Sequence, residues 1–229
     1  KLSMKVKNNT FILEHFPLFS SLNETELDLL QDMTEKHVVP KYSFIYMPDE
    51  ASKHIFFLSK GSIKIGTHSS DGKEVIKSVL HPTAMFGEMG IVGEEERQDF
   101  ARAMGQEVHY CVLKVEDFRR LMRSNHQLSI KILMLIGERL RRAENRLESL
   151  IFKDARTRII DFLKDAADQR GRRVGFEMLV KHSLTQQDIA NLTGTSRQTV
   201  TSVLNELRKS NLIYFNRKSI LIRDMESLV

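Results

Sequence analysis

The sequence predicts an α+β chain in three parts: an N-terminal jelly roll or barrel of short antiparallel strands, a long helix, and a C-terminal winged helix-turn-helix. Three observations carry this. Short strand-like runs separated by turn signals fill the first half. A stretch with no proline and a single glycine then repeats apolar residues at intervals of three and four. Near the C-terminus two capped helix starts flank a glycine, and a basic hairpin follows. The boundaries fall at 1–124 for the roll, 125–153 for the long helix and 154–229 for the winged helix.

Taken in order, Ser20 to Leu27 reads as a capped helix start, and Leu27, Leu30 and Met33 follow at helical spacing. Ile55-Phe56-Phe57-Leu58 is a buried apolar run that passes through Lys60-Gly61 into the alternating Ser62–Gly66. Asp71-Gly72 is the turn between that run and Val75–Leu80, and Val108–Leu113 is a further strand. From Asn125 to Phe152, Leu133, Ile136, Leu140, Ala143, Leu147 and Leu150 form a heptad seam, with Arg139, Arg141, Arg142, Glu144, Arg146 and Glu148 between them. Such a seam wants a partner helix and points to a homodimer; the other reading is a long helix packed on its own domain. Ile159, Ile160, Leu163 and Ala167 then define an amphipathic helix that ends at Gln169-Arg170-Gly171.

Composition narrows the function classes. The chain has 229 residues, 41% of them hydrophobic, enough for a packed core. No apolar stretch is long enough to span a membrane, and Lys1 to Thr10 lacks the apolar centre of a secretory signal. Cys111 is the single cysteine, so one chain can form no disulfide and no cysteine-ligated iron-sulfur cluster or zinc finger, in keeping with a reducing cytoplasm. From Asp154 onward 13 Lys and Arg face 9 Asp and Glu, which places +4 of the net +5 in the last third and suits contact with phosphates. The histidines are scattered, with no metal-ligand pair, and no nucleophile stands with a base, so neither a metal site nor an enzyme is expected.

The segment Leu184 to Leu204 carries the functional expectation. Thr185 is placed as an N-cap with Asp188 reaching back; Ile189, Ala190 and Leu192 point inward. Gly194 supplies a left-handed turn and Ser196 caps the next helix, whose apolar stripe is Val200, Val203, Leu204 and Leu207. The opposite face offers Arg197, Gln198, Thr201 and Ser202 near a helix N-terminus, where a recognition helix meets base edges in double-stranded DNA. Ile213 to Ile222 reads as a hairpin whose tip, Arg217 and Lys218, forms a basic wing. The other reading is an ordinary helical hairpin with polar residues facing water.

At this point the sequence resembles the catabolite-activator (Crp/Fnr) family along nearly its whole length. The resemblance is strongest in Gly194-Thr195-Ser196-Arg197-Gln198-Thr199-Val200, and clear in Phe86-Gly87-Glu88-Met89-Gly90 with Arg97 and Ala101-Arg102-Ala103. Phe16-Pro17-Leu18-Phe19 and the stretch from Arg139 through Asp154 to Arg158-Ile159 are also similar to the family. The resemblance implies a cyclic-nucleotide-binding-type β-roll, a long dimerisation helix and a winged helix, in a homodimeric cytoplasmic regulator that works on double-stranded DNA and with RNA polymerase. It implies base-reading roles for Arg197, Gln198 and Ser202, and phosphate contacts from Thr185, Gln187, Ser196 and Thr199. Family members often carry an acid where Gln198 stands and an arginine where Ser202 stands, so a different half-site is expected.

Gly87, Glu88, Arg97 and Gln98 resemble the family's effector cassette. Several departures disfavour cyclic AMP. Gln98 and Asp99 follow the cassette arginine where a small hydroxyl is usual, the loop Gly93 to Glu96 is acidic and one residue short, and Ala143 and Glu144 stand where the family's adenine-contacting hydroxyls sit. Another small ligand, or none, is expected; in the latter case Glu88 and Arg97 would serve to pair with each other. The competing function class is a sensor module whose output is a protein partner rather than DNA.

Overall fold

The computed structural model describes Met4–Lys5 and residues 13–228; the remainder of Lys1 to Thr10 lies outside the described residues. The chain divides into two compact units, Lys1–Thr67 with Lys77–Arg141 and His68–Ile76 with Arg142–Val229.

In the first unit, short 3-10 turns at Leu13–His15 and Pro17–Phe19 lead to α1 (Glu24–Met33). Its cap is Asn23: the Asn23 side chain accepts from the Glu26 amide at 2.9 Å, and the Glu26 carboxylate accepts from the Asn23 amide at 3.0 Å. Among the described residues nine strands precede or follow it: β1 (Met4–Lys5), β2 (Glu35–Val39), β3 (Phe44–Tyr46), β4 (His54–Lys60), β5 (Ile63–His68), β6 (Glu74–Leu80), β7 (Met85–Phe86), β8 (Phe100–Ala103) and β9 (Val108–Lys114). They form two sheets, ordered β1-β2-β9-β4-β7 and β3-β8-β5-β6, with antiparallel pairing. Neighbours such as β4 and β9 are far apart in sequence, which is the crossover pattern of a jelly roll.

The run Ile55-Phe56-Phe57-Leu58 is buried throughout because β4 separates two cores. Phe56 and Leu58 enter the roll with Tyr46, Phe86 and Tyr110. Ile55 and Phe57 face the other way, onto Phe16, Phe19, Leu30 and Phe118. Strand alternation sends successive side chains to opposite sides, so a strand covered on both faces reads as continuously apolar. Cys111 lies in the second of these cores, and burial pushes its thiol up to about 11.

Helix α2 (Val115–Ser124) packs outside β9 and meets α3 (His126–Phe152) at Asn125, whose side chain accepts from the Leu128 amide at 3.0 Å. Leu128 and Ile132 are buried in the helical core, and Leu135 and Ile136 pack against it. Ile136, a seam candidate, therefore turns toward its own unit. Leu133, Leu140, Leu147 and Leu150 stay exposed, joined by Met134 and Ile151. No helix among the described residues is long and apolar enough to cross a membrane.

In the second unit, the Asp154 side chain caps α4 (Ala155–Arg170) by accepting from the Thr157 amide at 2.7 Å. Helix α4 does end at Gly171, though not in a left-handed cap. Gly171 is extended, with φ −66° and ψ 142°, and it is glycine because a Cβ would stand 2.3 Å from the Ala167 carbonyl. Strands β10 (Arg172–Val174) and β11 (Glu177–Lys181) follow, a hairpin that the sequence pattern did not reveal. Helices α5 (Gln186–Thr193) and α6 (Arg197–Lys209) and strands β12 (Ile213–Phe215) and β13 (Ser219–Ile222) complete the unit. Its sheet runs β10-β11-β13-β12, beside a core from Ile159, Leu163, Ile189, Ala190, Val200, Leu204 and Ile220.

Candidate nucleic-acid interface

Helices α5 and α6 are set by reciprocal caps. The Thr185 hydroxyl accepts from the Asp188 amide at 3.0 Å, and the Asp188 carboxylate accepts from the Thr185 amide at 2.9 Å and from its hydroxyl at 2.7 Å. Ser196 begins α6 in the same way, its hydroxyl accepting from the Thr199 amide at 3.0 Å. Between them Gly194 turns the chain at φ 63°. Two constraints require glycine there: the left-handed backbone, and the Leu150 Cδ2 that would lie 2.8 Å from a Cβ. Ile189 and Ala190 are fully buried as expected. Leu192 is only half-buried, and Thr193 goes inside instead, its hydroxyl donating to the Ile189 carbonyl at 2.8 Å.

With Val200, Val203, Leu204 and Leu207 in the core, α6 presents Arg197, Gln198 and Ser202 to solvent. Thr201 departs from the expected face. Its hydroxyl donates toward Gln186 Oε1 at 2.6 Å and lies 2.9 Å from the Arg197 carbonyl, so it ties α6 to α5. Thr185 and Gln187 are exposed at the start of α5, and Ser196 and Thr199 stand together at the start of α6, their hydroxyls 2.8 Å apart. All are polar groups at helix N-termini, where backbone amides and the helix dipole favour anions.

The wing turn carries Arg217 and Lys218, both exposed. Asn216 shapes it: its side-chain oxygen accepts from the amides of Lys218 at 2.8 Å and Ser219 at 2.9 Å. Arg208 lies over the Phe215 ring at 5.3 Å and joins α6 to the wing strand. The sequence reading singled out neither residue. An asparagine ahead of two basic residues is the turn signal that could have found the first.

The cassette in the roll is built differently. Gly87 is left-handed, at φ 72°, and opens a 3-10 turn, Glu88–Val92. A Cβ at Gly87 would stand 2.9 Å from the Phe56 ring and 3.0 Å from the Arg97 guanidinium. Arg97 is only 2% exposed. It donates to the Gly87 carbonyl at 2.9 Å and to the His54 carbonyl, stacks over Tyr46 at 4.5 Å, and has the Glu94 carboxylate at 3.7 Å. Glu88, also buried, is ion-paired with Arg139 of α3, which in addition donates to the Met85 carbonyl at 2.5 Å. The alternative in which Glu88 and Arg97 pair with each other is replaced by two separate sets of partners, because α3 brings a second guanidinium to the cassette. Gln98 is exposed and donates to the Glu96 carbonyl at 3.2 Å.

Asp99 faces Tyr46 and Lys77, whose ammonium lies 3.5 Å away; burial holds the carboxyl above its usual range. Burial also raises the Tyr46 phenol, with Asp99 adding to the effect, and pushes Tyr110 up to about 12. The rings of Phe56 and Phe86 stack at 4.9 Å, with Tyr46 and Tyr110 against them. This interior is lined by aromatic rings, and the buried Arg97 guanidinium is satisfied by the protein itself. Among the described residues no group of His, Cys, Asp or Glu stands together as metal ligands would.

Two protein-family models match the chain. Residues 36–125 match the cyclic nucleotide-binding domain, and residues 157–229 match the Crp-like helix-turn-helix domain. A CRP-like cAMP-activated global transcriptional regulator of Mycobacterium tuberculosis is 29% identical over 217 residues, 95% of this chain and 96% of its own. The cyclic AMP receptor protein of Thermus thermophilus is 26% identical over 208 residues, 91% of this chain and 93% of its own. Among solved structures, a CooA variant from Carboxydothermus hydrogenoformans superimposes with a TM-score of 0.78 at 22% identity, covering 96% of this chain and 95% of the other. FixK2 from Bradyrhizobium japonicum gives 0.76 at 20% identity, covering 85% and 95%. At these identities the two structures bear on the fold.

Proposed function

The chain belongs to the Crp/Fnr family of DNA-binding transcription regulators, and from that premise we propose that it acts as a cytoplasmic homodimer reading a palindromic operator. Residues 1–124 serve as the sensor roll, 125–153 as the dimerisation helix and 154–229 as the DNA-binding part. The seam is Leu133, Leu140, Ala143, Leu147 and Leu150, with Ile136 at its edge. Paired α3 helices present two α6 helices to half-sites about one helical turn apart. Arg197, Gln198 and Ser202 read bases. Thr185, Gln187, Ser196 and Thr199 contact phosphates, and Arg217 and Lys218 reach the backbone from the wing. The regulator acts on RNA polymerase and catalyses no reaction.

The observation that carries this reading is the solvent-facing trio Arg197, Gln198 and Ser202 on a helix whose other side is core. Gln pairs bidentately with adenine, whereas an acid accepts from cytosine. Binding-site selection on random duplexes tests it: the recovered half-site should change identity at one position when Gln198→Glu is introduced. Recovery of one and the same half-site from both proteins overturns the role of Gln198.

Cyclic AMP is disfavoured as the effector of the roll. The cassette guanidinium is spent on Gly87, His54 and Tyr46, Glu88 is held by Arg139, and Asp99 would bring a second negative charge toward a phosphate. A different small effector, or none, is the better reading: operator binding unchanged by cyclic AMP supports it, and operator binding that tightens with cyclic AMP overturns it.

A further inference from the structure

We infer that Arg146 of α3 is a positioning residue for recognition, working with Arg158 as a two-arginine clamp on the C-terminal end of α5. The inference rests on the DNA-binding reading above and adds to it a device that orients the recognition helix.

A helix leaves its last carbonyls without intrahelical donors, and α5 is only eight residues long. The amides of Gly194 and Thr195 both donate to the Ala190 carbonyl. The next four carbonyls are taken by side chains. Arg146 donates to the Leu192 carbonyl, with the Asn191 carbonyl at 3.4 Å. Arg158 donates to the Thr193 carbonyl at 2.8 Å and the Gly194 carbonyl at 3.2 Å, and also to the Lys153 carbonyl at 2.6 Å. A cation at a helix C-terminus is further favoured by the helix dipole. Arg146 is half-buried and burial lowers its pKa, so the guanidinium is partly withdrawn from water.

One turn beyond Arg146 on the same helix face, Leu150 packs on Gly194. Two positions on α3, one polar and one apolar, therefore grip the turn that sets α6, and Arg158 fastens the same turn to the α3–α4 junction. Arg146 spends these donors on backbone carbonyls. Its effect on DNA is to restrict the angles that α6 samples about the end of α3. In a dimer that restriction appears as a preference for one spacing between half-sites.

The test uses the full-length protein and the palindrome recovered by random-duplex selection. The same palindrome with one base pair added or removed between half-sites, and a scrambled duplex, complete the set. Arg146→Met keeps the aliphatic stem and removes every donor; Arg146→Lys returns a single cationic donor; Arg141→Gln, on the solvent side of α3, is the control. For Arg146→Met the palindrome affinity should fall about tenfold, the scale of losing a charged hydrogen bond, with its preference for the parental spacing largely erased. Binding to the scrambled duplex should be unchanged, Arg146→Lys should recover part of both losses, and Arg141→Gln should match the parent.

Parental affinity and spacing preference in Arg146→Met would overturn the clamp while leaving DNA binding intact. So would an equal loss on palindrome and scrambled duplex, which is the mark of general unfolding. If the parent itself shows no salt-dependent duplex binding, the DNA reading fails first and the clamp with it.

Discussion

Arg97 and Arg197 sit at the centres of the two motifs by which this chain is most readily recognised, and their surroundings are opposite. Arg197 begins α6 exposed, on a helix whose opposite face is packed in the core. Arg97 is enclosed, its donors spent on two carbonyls and its plane laid on Tyr46. A guanidinium that is free to meet a phosphate or a base must be carried by structure that does not need it. One that is consumed internally holds its own domain together. In this chain Arg97 is of the second kind, whereas Arg197 has the exposed setting of the first.

Mutation of the two arginines gives the sharpest contrast. Arg97→Met leaves the Gly87 and His54 carbonyls without their donor in the roll, and should cost about 3 kcal/mol in denaturant unfolding of the full chain. Operator binding by the fraction that remains folded should be close to parental. Arg197→Ala reverses this pattern: about 2 kcal/mol of operator discrimination is lost in titrations at fixed salt, while unfolding is unchanged. An Arg97 variant that unfolds like the parent would break the comparison, because the cassette would then have kept its guanidinium in reserve.

A smaller effect sharpens the helix-turn-helix side. Thr185→Ala removes one half of the α5 capping box and leaves Asp188, itself nearly buried, without its partner hydroxyl. The expected cost is about 1 kcal/mol, read as a lower melting temperature.

The smallest effects are those of pH, and they differ in sign between the two regions. In the winged helix His182 is half-buried, its Nδ1 accepting from the Leu184 amide at 3.2 Å, and burial holds it below its usual 6.5. Its folded pKa is depressed, so its contribution is intact above about pH 6.5 and is lost as pH falls. Asp99 in the roll is raised above its ordinary 3.8 by burial, so its contribution is fullest below that value and is lost as pH rises through the folded pKa. Asp99→Asn should therefore stabilise the protein near pH 7, and the gain should vanish toward about pH 4. His182→Gln should flatten the loss of stability on the acid side of neutrality. Unfolding curves at several pH values, compared with the parent, read both, and a matching sign in the two variants would contradict the assigned burial effects.

Much of this was legible beforehand where the physics is local. The caps at Thr185 and Ser196, the turn at Gly194 and the apolar stripe of α6 depend on residues within a few positions of one another, and each appears where the sequence put it. Strands β4, β5, β6 and β9 were visible for a similar reason, because alternation and turn residues are short-range signals. The hairpin β10–β11 was missed, since Arg172-Arg173-Val174 is exposed and carries no apolar alternation. Its strand character comes from pairing with β11, which in turn pairs with β13 much later in the chain.

The division between what the sequence determined and what the tertiary structure decided follows the range of the interactions. From the sequence alone came the order of the parts, the helix boundaries at their caps, the exposed polar edge of α6 and the basic wing. Each of these is a property of neighbouring residues. Only the folded chain decided that Glu88 belongs to Arg139, that Arg97 is spent on its own domain, that Ile136 leans inward and that Arg146 holds the end of α5. A charged side chain buried away from water must find a partner, and which partner it finds depends on residues that folding brings together from distant parts of the chain.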